Sequence, residues 1–354
     1  MFQKNFILRT FRLNPQASMR GKGIAFLRQA RYYRNRPRYV YFNDSRQYNQ
    51  SSWWSRFFAY ARENPRVTYG TVGVFTLFLV THIDEAPVTH RYRLMMTAEW
   101  VENYFTQQSF RQVMAEYGNY ILPSYHPISK QVSSIMVRLI AAAHDYKDPT
   151  TGERVNLFTV LGKSDIPLDK WEFYVIDDVR MGRPSPNAFV IGGGKVFLFK
   201  SLLPICEDTN GLATVLSHEL GHLLADHLGE RLSLSPLLFT LNIIMFSIFG
   251  SSRPGDILVN MLLNRSFSRE METEADYIGL MVMSRACFDP TGAPKLWRNM
   301  LQFEQQQGGS VPELVSTHPS SERRLENING WMSKAKGIYE ENGCYKDLRS
   351  FWYR

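Results

Sequence analysis

A mainly α-helical fold with a small β-sheet, of the α+β kind, preceded by one N-terminal transmembrane helix, is what this sequence predicts. Three observations carry that expectation. The helical period runs clearly through QVSSIMVRLIAAAHDY, residues 131–146, with apolar side chains at 132, 135, 136, 139, 140 and 143. Strand-like runs are few and short, at 172–176 and within 187–203. One 17-residue stretch, Val67–Ile83, carries no formal charge and is bracketed by Arg66 and Asp84.

Taken in order, the chain opens on a basic leader. Residues 1–43 hold ten Lys or Arg and no acid, the first acid being Asp44. The whole chain has 41 basic and 33 acidic residues and a net charge of +8, so without the leader it is near neutral. The basic balance belongs to the N-terminus, and a nucleic-acid surface is excluded as its explanation. An Arg-rich, acid-free segment interrupted by Phe6, Ile7, Leu8, Phe11 and Leu13 has the composition of a mitochondrial transit peptide, and it lacks the apolar core of a secretory signal. Residues 44–65, aromatic and polar without a sustained period, read as a linker.

The uncharged run predicts a transmembrane helix over 66–84. Its core as a helix spans ~25 Å, the low end of what crosses a hydrocarbon layer of ~30 Å. Arg62 and Arg66 precede it while Asp84 and Glu85 follow, so the positive-inside rule keeps the N-terminus in the matrix and sends the rest of the chain to the intermembrane space as a single-pass protein. Residues 90–335 have the composition of a folded domain, and 336–354 form a C-terminal tail ending in RSFWYR. Glu172–Ile176 reads as a strand, and NAFVIGGGKVFLFKSLL, 187–203, as a strand pair around three glycines that leads into a helix. GGG before Lys195 has neither the Walker spacing nor the GxGxxG order, so it is no phosphate loop. A second apolar run, within 235–250, contains Asn242 and is short for a span; it is either a core helix or a segment dipping into the membrane.

Chemistry concentrates in VLSHELGHLLADH, 215–227. On a helix, residues four apart share a face, so His218 and His222 can present two imidazole nitrogens to one ion, while Glu219 can reach a water beside it. Asp208 or Thr209 can cap that helix. A catalytic zinc takes three protein ligands and keeps one position open. His227 is near in sequence, but the HExxHxxGxxH pattern would need histidine and glycine where Leu228 and Ala225 stand. In SREMETEADYIGLMV, 268–282, Glu272 and Asp276 lie one turn apart, so that one can ligate while the other orients a ligand histidine; Glu270 and Glu274 point elsewhere on such a helix. Cys206, Cys287 and Cys344 lack the pairing of a structural zinc site. They are either idle thiols or, in an oxidising compartment, include one reversible disulfide.

HELGH, Glu272-x-x-Ala275-Asp276, the strand NAFVIGGGKVFLF and THPSSERRL at 317–325 together resemble the membrane-linked zinc peptidases that include bacterial HtpX-type proteases and the CAAX prenyl proteases. The resemblance covers about residues 130–330 and implies a gluzincin-type domain holding one Zn2+ per subunit. It implies His218, His222 and Glu272 as zinc ligands, Glu219 as general base, Asp276 as the orienting carboxylate, and His318, with Arg324 nearby, as donor to the oxyanion. It further implies an extended substrate lying beside 187–199, with Asn187, Phe189, Gly192 and Gly193 as binding residues. The implied partners are inner-membrane protein substrates cleaved in quality control or stress response, and the lipid bilayer; a homo-oligomer is left open. The GGG stands where PGG is commoner in the family. Two other readings remain: the same chemistry in another membrane, or a metal-containing scaffold without activity.

Overall fold

The computed structural model describes residues 53–86, 90–147, 152–160, 166–234, 269–306, 318 and 322–344. The leader 1–43, the apolar 235–250 segment and the last ten residues lie outside them. Two units divide the chain, residues 1–65 and 66–354. In the first, α1 (Trp53–Glu63) falls within the stretch predicted as linker. WWSRFFAYARE contains neither Gly nor Pro, and Asn64 closes it with a side-chain hydrogen bond to the Tyr60 carbonyl.

The second unit begins with α2 (Pro65–Thr81), whose Pro sits at the helix start where a missing N–H costs nothing. None of its residues is buried, and Val72, Val74, Phe75, Leu77 and Val80 are all exposed. The predicted span of 66–84 is thereby shortened: the helix stops at Thr81, and Ile83–Glu85 (β1) pairs antiparallel with Tyr92–Leu94 (β2). Among the described residues no helix is long and apolar enough to cross a membrane.

The sheet has three strands in the order β5-β7-β6. Glu172–Ile176 (β5) runs parallel to Lys195–Phe199 (β7), and Ala188–Ile191 (β6) runs antiparallel to it. Before them come α3 (Glu99–Tyr117), α4 (Pro127–His144), the short pair β3 (Tyr146–Lys147) and β4 (Arg154–Val155), and α5 (Leu157–Val160). The β6–β7 connection is the predicted glycine run, and Gly193 and Gly194 adopt φ of 72° and 78°, which a side chain would resist. α4 starts earlier than its apolar period, at Pro127 behind the capping His126, and buries all six positions that the period selects.

Among the described residues there follow α6 (Leu203–Cys206), α7 (Thr209–Leu224), a further helical stretch from 227, α8 (Arg269–Arg285), α9 (Gly292–Gln306) and α10 (Glu322–Glu341). Asp208 is the residue that caps α7, its Oδ1 accepting from Gly211 N at 2.9 Å. α7 is buried from Gly211 through His222, the signature of a central rather than a surface helix. It packs on α4, β6, α9 and, above all, α8. α10 runs past residue 335, where the sequence predicts the domain to end, because Ile338 and Tyr339 continue its buried face. Beyond it Cys344 is joined to Cys287 by a disulfide, while Cys206 remains a free, buried thiol. Burial pushes that thiol up to about 12, so Cys206 is chemically idle.

Candidate metal centre

Two helices build the site, and small residues let them meet. A Cβ on Gly221 of α7 would stand 2.7 Å from the Ala275 carbonyl oxygen, and one on Gly279 of α8 would stand 2.9 Å from the backbone of Ser217 and His218. Contacts of 217–218 with 279 and of 221 with 275 mean that the helices run antiparallel. That register sets His218 beside Asp276 and His222 beside Glu272.

The distances agree. His218 Nε2 and His222 Nε2 lie 3.1 Å apart, and Glu272 places its two oxygens 3.4 Å from one and the other. Ligand atoms ~2.0–2.1 Å from a tetrahedral zinc stand roughly 3.3 Å from each other, so these three groups already form one face of such a site. His318 adds a fourth atom: its Nδ1 is 3.3 Å from His218 Nε2 and 2.9 Å from Glu272 Oε1. Ligand atoms of all four residues fall within 4.8 Å of one another, and all four are buried. His318 is therefore inside the ligand cluster and not only beside it, as its oxyanion assignment alone would have it.

A buried cation sits against the cluster's carboxylates. Arg324 of α10 donates to both oxygens of Asp276, at 2.7 and 2.8 Å, and its Nη1 lies 2.8 Å from Glu272 Oε2. The guanidinium also stacks 3.7 Å over the Trp297 ring of α9. Burial alone would raise Asp276 and Glu272, but Arg324 and the neighbouring histidines outweigh it and hold both below the carboxylate range. Asp276 Oδ1 lies 3.0 Å from His218 Nδ1, the arrangement that turns the other ring nitrogen toward a metal. Arg324 is thus committed to the two carboxylates.

Glu219 behaves differently. Burial pushes its carboxyl up, the favourable charges of His318 and His218 notwithstanding. Its Oε1 is buried with no hydrogen-bond partner, 3.5 Å from His318 Nε2. A buried carboxylate oxygen left over next to a set of metal-ligating atoms is what a water-activating base requires, and the donor set of two imidazoles and a carboxylate fits zinc.

The four substrate residues read from the sequence belong to the β6–β7 hairpin and its ends. Asn187 O accepts from Phe199 N at 2.9 Å, extending the β6–β7 ladder, and the Phe189 ring stacks on Phe197 with centroids 5.1 Å apart. Gly192 packs against Thr106 of α3 and Gly193 forms the turn, so both shape the hairpin. Sequence reasoning passed over Arg91 and Glu230 and set Glu274 aside as pointing elsewhere; the three join His227 in a largely buried network next to His222. No local signal pointed to them, because the network links segments far apart in the chain.

Comparison with known proteins falls on the same residues. The profile of peptidase family M48 matches residues 154–332. The chain is similar to the mitochondrial metalloendopeptidase OMA1 of Saccharomyces cerevisiae, 39% identical over 317 residues that cover 88% of this chain and 86% of the relative. It is also 39% identical over 283 residues to the protein of that name in Schizosaccharomyces pombe, covering 78% and 75%, and 28% identical to the Danio rerio metalloendopeptidase OMA1 over 78% and 55%. Motif, helix geometry and relatedness meet on α7 and α8, and as a zinc metalloendopeptidase the chain belongs to peptidase family M48.

Proposed function

We propose that the protein is a single-pass endopeptidase of the mitochondrial inner membrane, with its catalytic domain facing the intermembrane space, that cleaves membrane proteins whose loops become accessible in quality control or stress. The observation that carries the chemistry is the orphaned, buried Oε1 of Glu219 beside the His218–His222–Glu272 group. His218, His222 and Glu272 would hold zinc, which would supply Lewis-acid chemistry to a scissile carbonyl and to water. Glu219 is the base placed to accept a proton from the attacking water and to return it to the leaving amine. Asp276 fixes the His218 ring, and Arg324 fixes Asp276 and Glu272. His318, with Nδ1 on Glu272 and Nε2 toward Glu219, is the donor assigned to the developing oxyanion.

Substrate recognition rests on β6. It lies at the edge of the sheet among the described residues, and its neighbour is α7, so an extended segment adding to it by main-chain hydrogen bonds would pass the metal face. With the Phe189 ring taken up by Phe197, β6 offers backbone more than side chains. The membrane assignment is supported by the exposed apolar α2 and the basic leader, and the compartment by the fungal relatives, which are mitochondrial metalloendopeptidases by name. The Cys287–Cys344 disulfide favours the oxidising intermembrane space over the matrix.

The decisive variant is Glu219→Gln in the full chain. It should keep about one zinc per chain and lose at least ~100-fold in cleavage of an unstructured protein substrate. Activity near the parent's would refute the mechanism. Protection of the C-terminal domain from added protease after the outer membrane is opened would refute the topology.

A further inference from the structure

The two ligand histidines are not held alike. His218 meets a carboxylate directly through Asp276, whereas His222 meets another histidine: its Nδ1 is 2.7 Å from His227 Nδ1. Five residues along an unbroken helix would point His227 away from His222. The chain instead breaks at Asp226, whose φ of 57° is left-handed, and helix resumes at 227, which brings the ring back. From there the chain of contacts continues. His227 Nε2 lies 3.2 Å from Glu274 Oε2, Glu274 accepts from Arg91 Nη2 at 3.1 Å, and Arg91 grips both oxygens of Glu230 at 2.7 and 2.6 Å. His227 is 0% exposed and Glu274 1%.

Only one proton arrangement suits this chain when His222 turns a bare Nε2 to the metal. His222 Nδ1–H donates to His227 Nδ1, and His227 Nε2–H donates to the Glu274 carboxylate. Arg91 precedes β2, in the hairpin that follows α2, and that hairpin is strapped to the same stretch of chain at further points. Arg93 donates to the Ala225 carbonyl, Met96 N and Thr97 N donate to Ser233 Oγ at 2.8 and 3.0 Å, and Thr97 Oγ1 bonds Gly229 O at 3.0 Å.

We propose that His227, Glu274 and Arg91 are a positioning relay for the ligand His222, through which the hairpin following α2 holds the metal centre. None of the three touches substrate. The inference rests on the zinc reading of the site and adds that metal affinity depends on a residue in the membrane-proximal hairpin.

The test measures zinc affinity of the full chain by competition with a chelator, and the visible spectrum of the cobalt-substituted protein. His227→Phe and Arg91→Met should each weaken zinc about 10- to 100-fold and shift the cobalt bands, with KM for a peptide substrate unchanged at saturating zinc. Arg91→Lys should recover part of the affinity, since an ammonium can still meet Glu274 without forking onto Glu230. Thr97→Val loosens the strap outside the relay and should lower the melting temperature without weakening zinc. Should His227→Phe not fold, the Arg91→Met and Arg91→Lys pair decides. The relay is overturned if zinc affinity stays within about twofold of the parent in the Arg91 variants while melting temperature falls as in Thr97→Val. A parent that binds no zinc would instead overturn the metal centre itself.

Discussion

Gly279→Ala isolates the helix contact on which the site depends. The added methyl would stand 2.9 Å from the carbonyl carbon and oxygen of Ser217 and from His218 N, backbone atoms with no rotamer to yield. Comfortable carbon contacts begin near ~3.5 Å, so α7 and α8 must part by roughly 0.5 Å. Overpacking of this kind costs about 1–3 kcal/mol, and alanine recovers about 1 kcal/mol over glycine within a helix, which leaves about 0–2 kcal/mol of lost stability. Metal–ligand distances tolerate only about ±0.2 Å. The displacement exceeds that tolerance, so the larger effect falls on zinc: affinity at least about 10-fold weaker, about 1.4 kcal/mol. Chelator competition gives the affinity, and thermal melts with and without zinc give the stability. Gly337→Ala in α10, where a Cβ meets nothing within 4 Å, is the control and should stabilise by up to about 1 kcal/mol with zinc binding unchanged. Parent-like zinc affinity in Gly279→Ala would show that close approach of the two helices does not set the ligand geometry.

Other expectations concern charge, the disulfide and acid. Arg324→Met leaves the buried Asp276 and Glu272 without their cation and should cost the metal-free protein about 3–5 kcal/mol, less when zinc is bound, as melts in chelator and in zinc would reveal. Reducing Cys287–Cys344, whose partners are 57 positions apart, should remove about 4 kcal/mol on a chain-entropy basis, and Cys344→Ser should melt at the same lowered temperature with or without reductant. The folded-state value of Asp276 is depressed, so its stabilisation is complete above the ordinary carboxylate value of about 3.9 and is lost as pH falls through the lower folded value. Denaturant melts of the metal-free protein should lose stability on acidification there, and Asp276→Asn should flatten that slope.

Much of this architecture was legible because it obeys local periods. α4 buries the six positions its spacing selects, β5 matches its predicted bounds, and Asp208 caps α7 from one of two candidate positions. The motif supplied His218, Glu219 and His222, while Glu272 and Asp276 could be told apart only by resemblance, since one helical turn separates them. Their antiparallel register with α7 puts Asp276 on His218 and Glu272 between both imidazoles. What stayed hidden depends on tertiary geometry. His227 acts on His222 only because Asp226 turns the chain, Arg91 reaches the site through a hairpin, and the pairing of Cys287 with Cys344 requires α10 to lie along α8. The α1 helix was read as linker although Trp53, Trp54, Phe57, Phe58 and Ala61 recur at the helical spacing, because the residues on either side of it carry no such period.

The small residues at the α7–α8 crossing also tie metal binding to folding. His218 and His222 are neighbours along the chain, but Glu272 arrives from beyond the 235–268 segment and reaches them only when Gly221 seats on Ala275 and Gly279 on Ser217. The three-residue ligand set exists only with the helices docked, so metal binding and the α7–α8 contact stabilise one another.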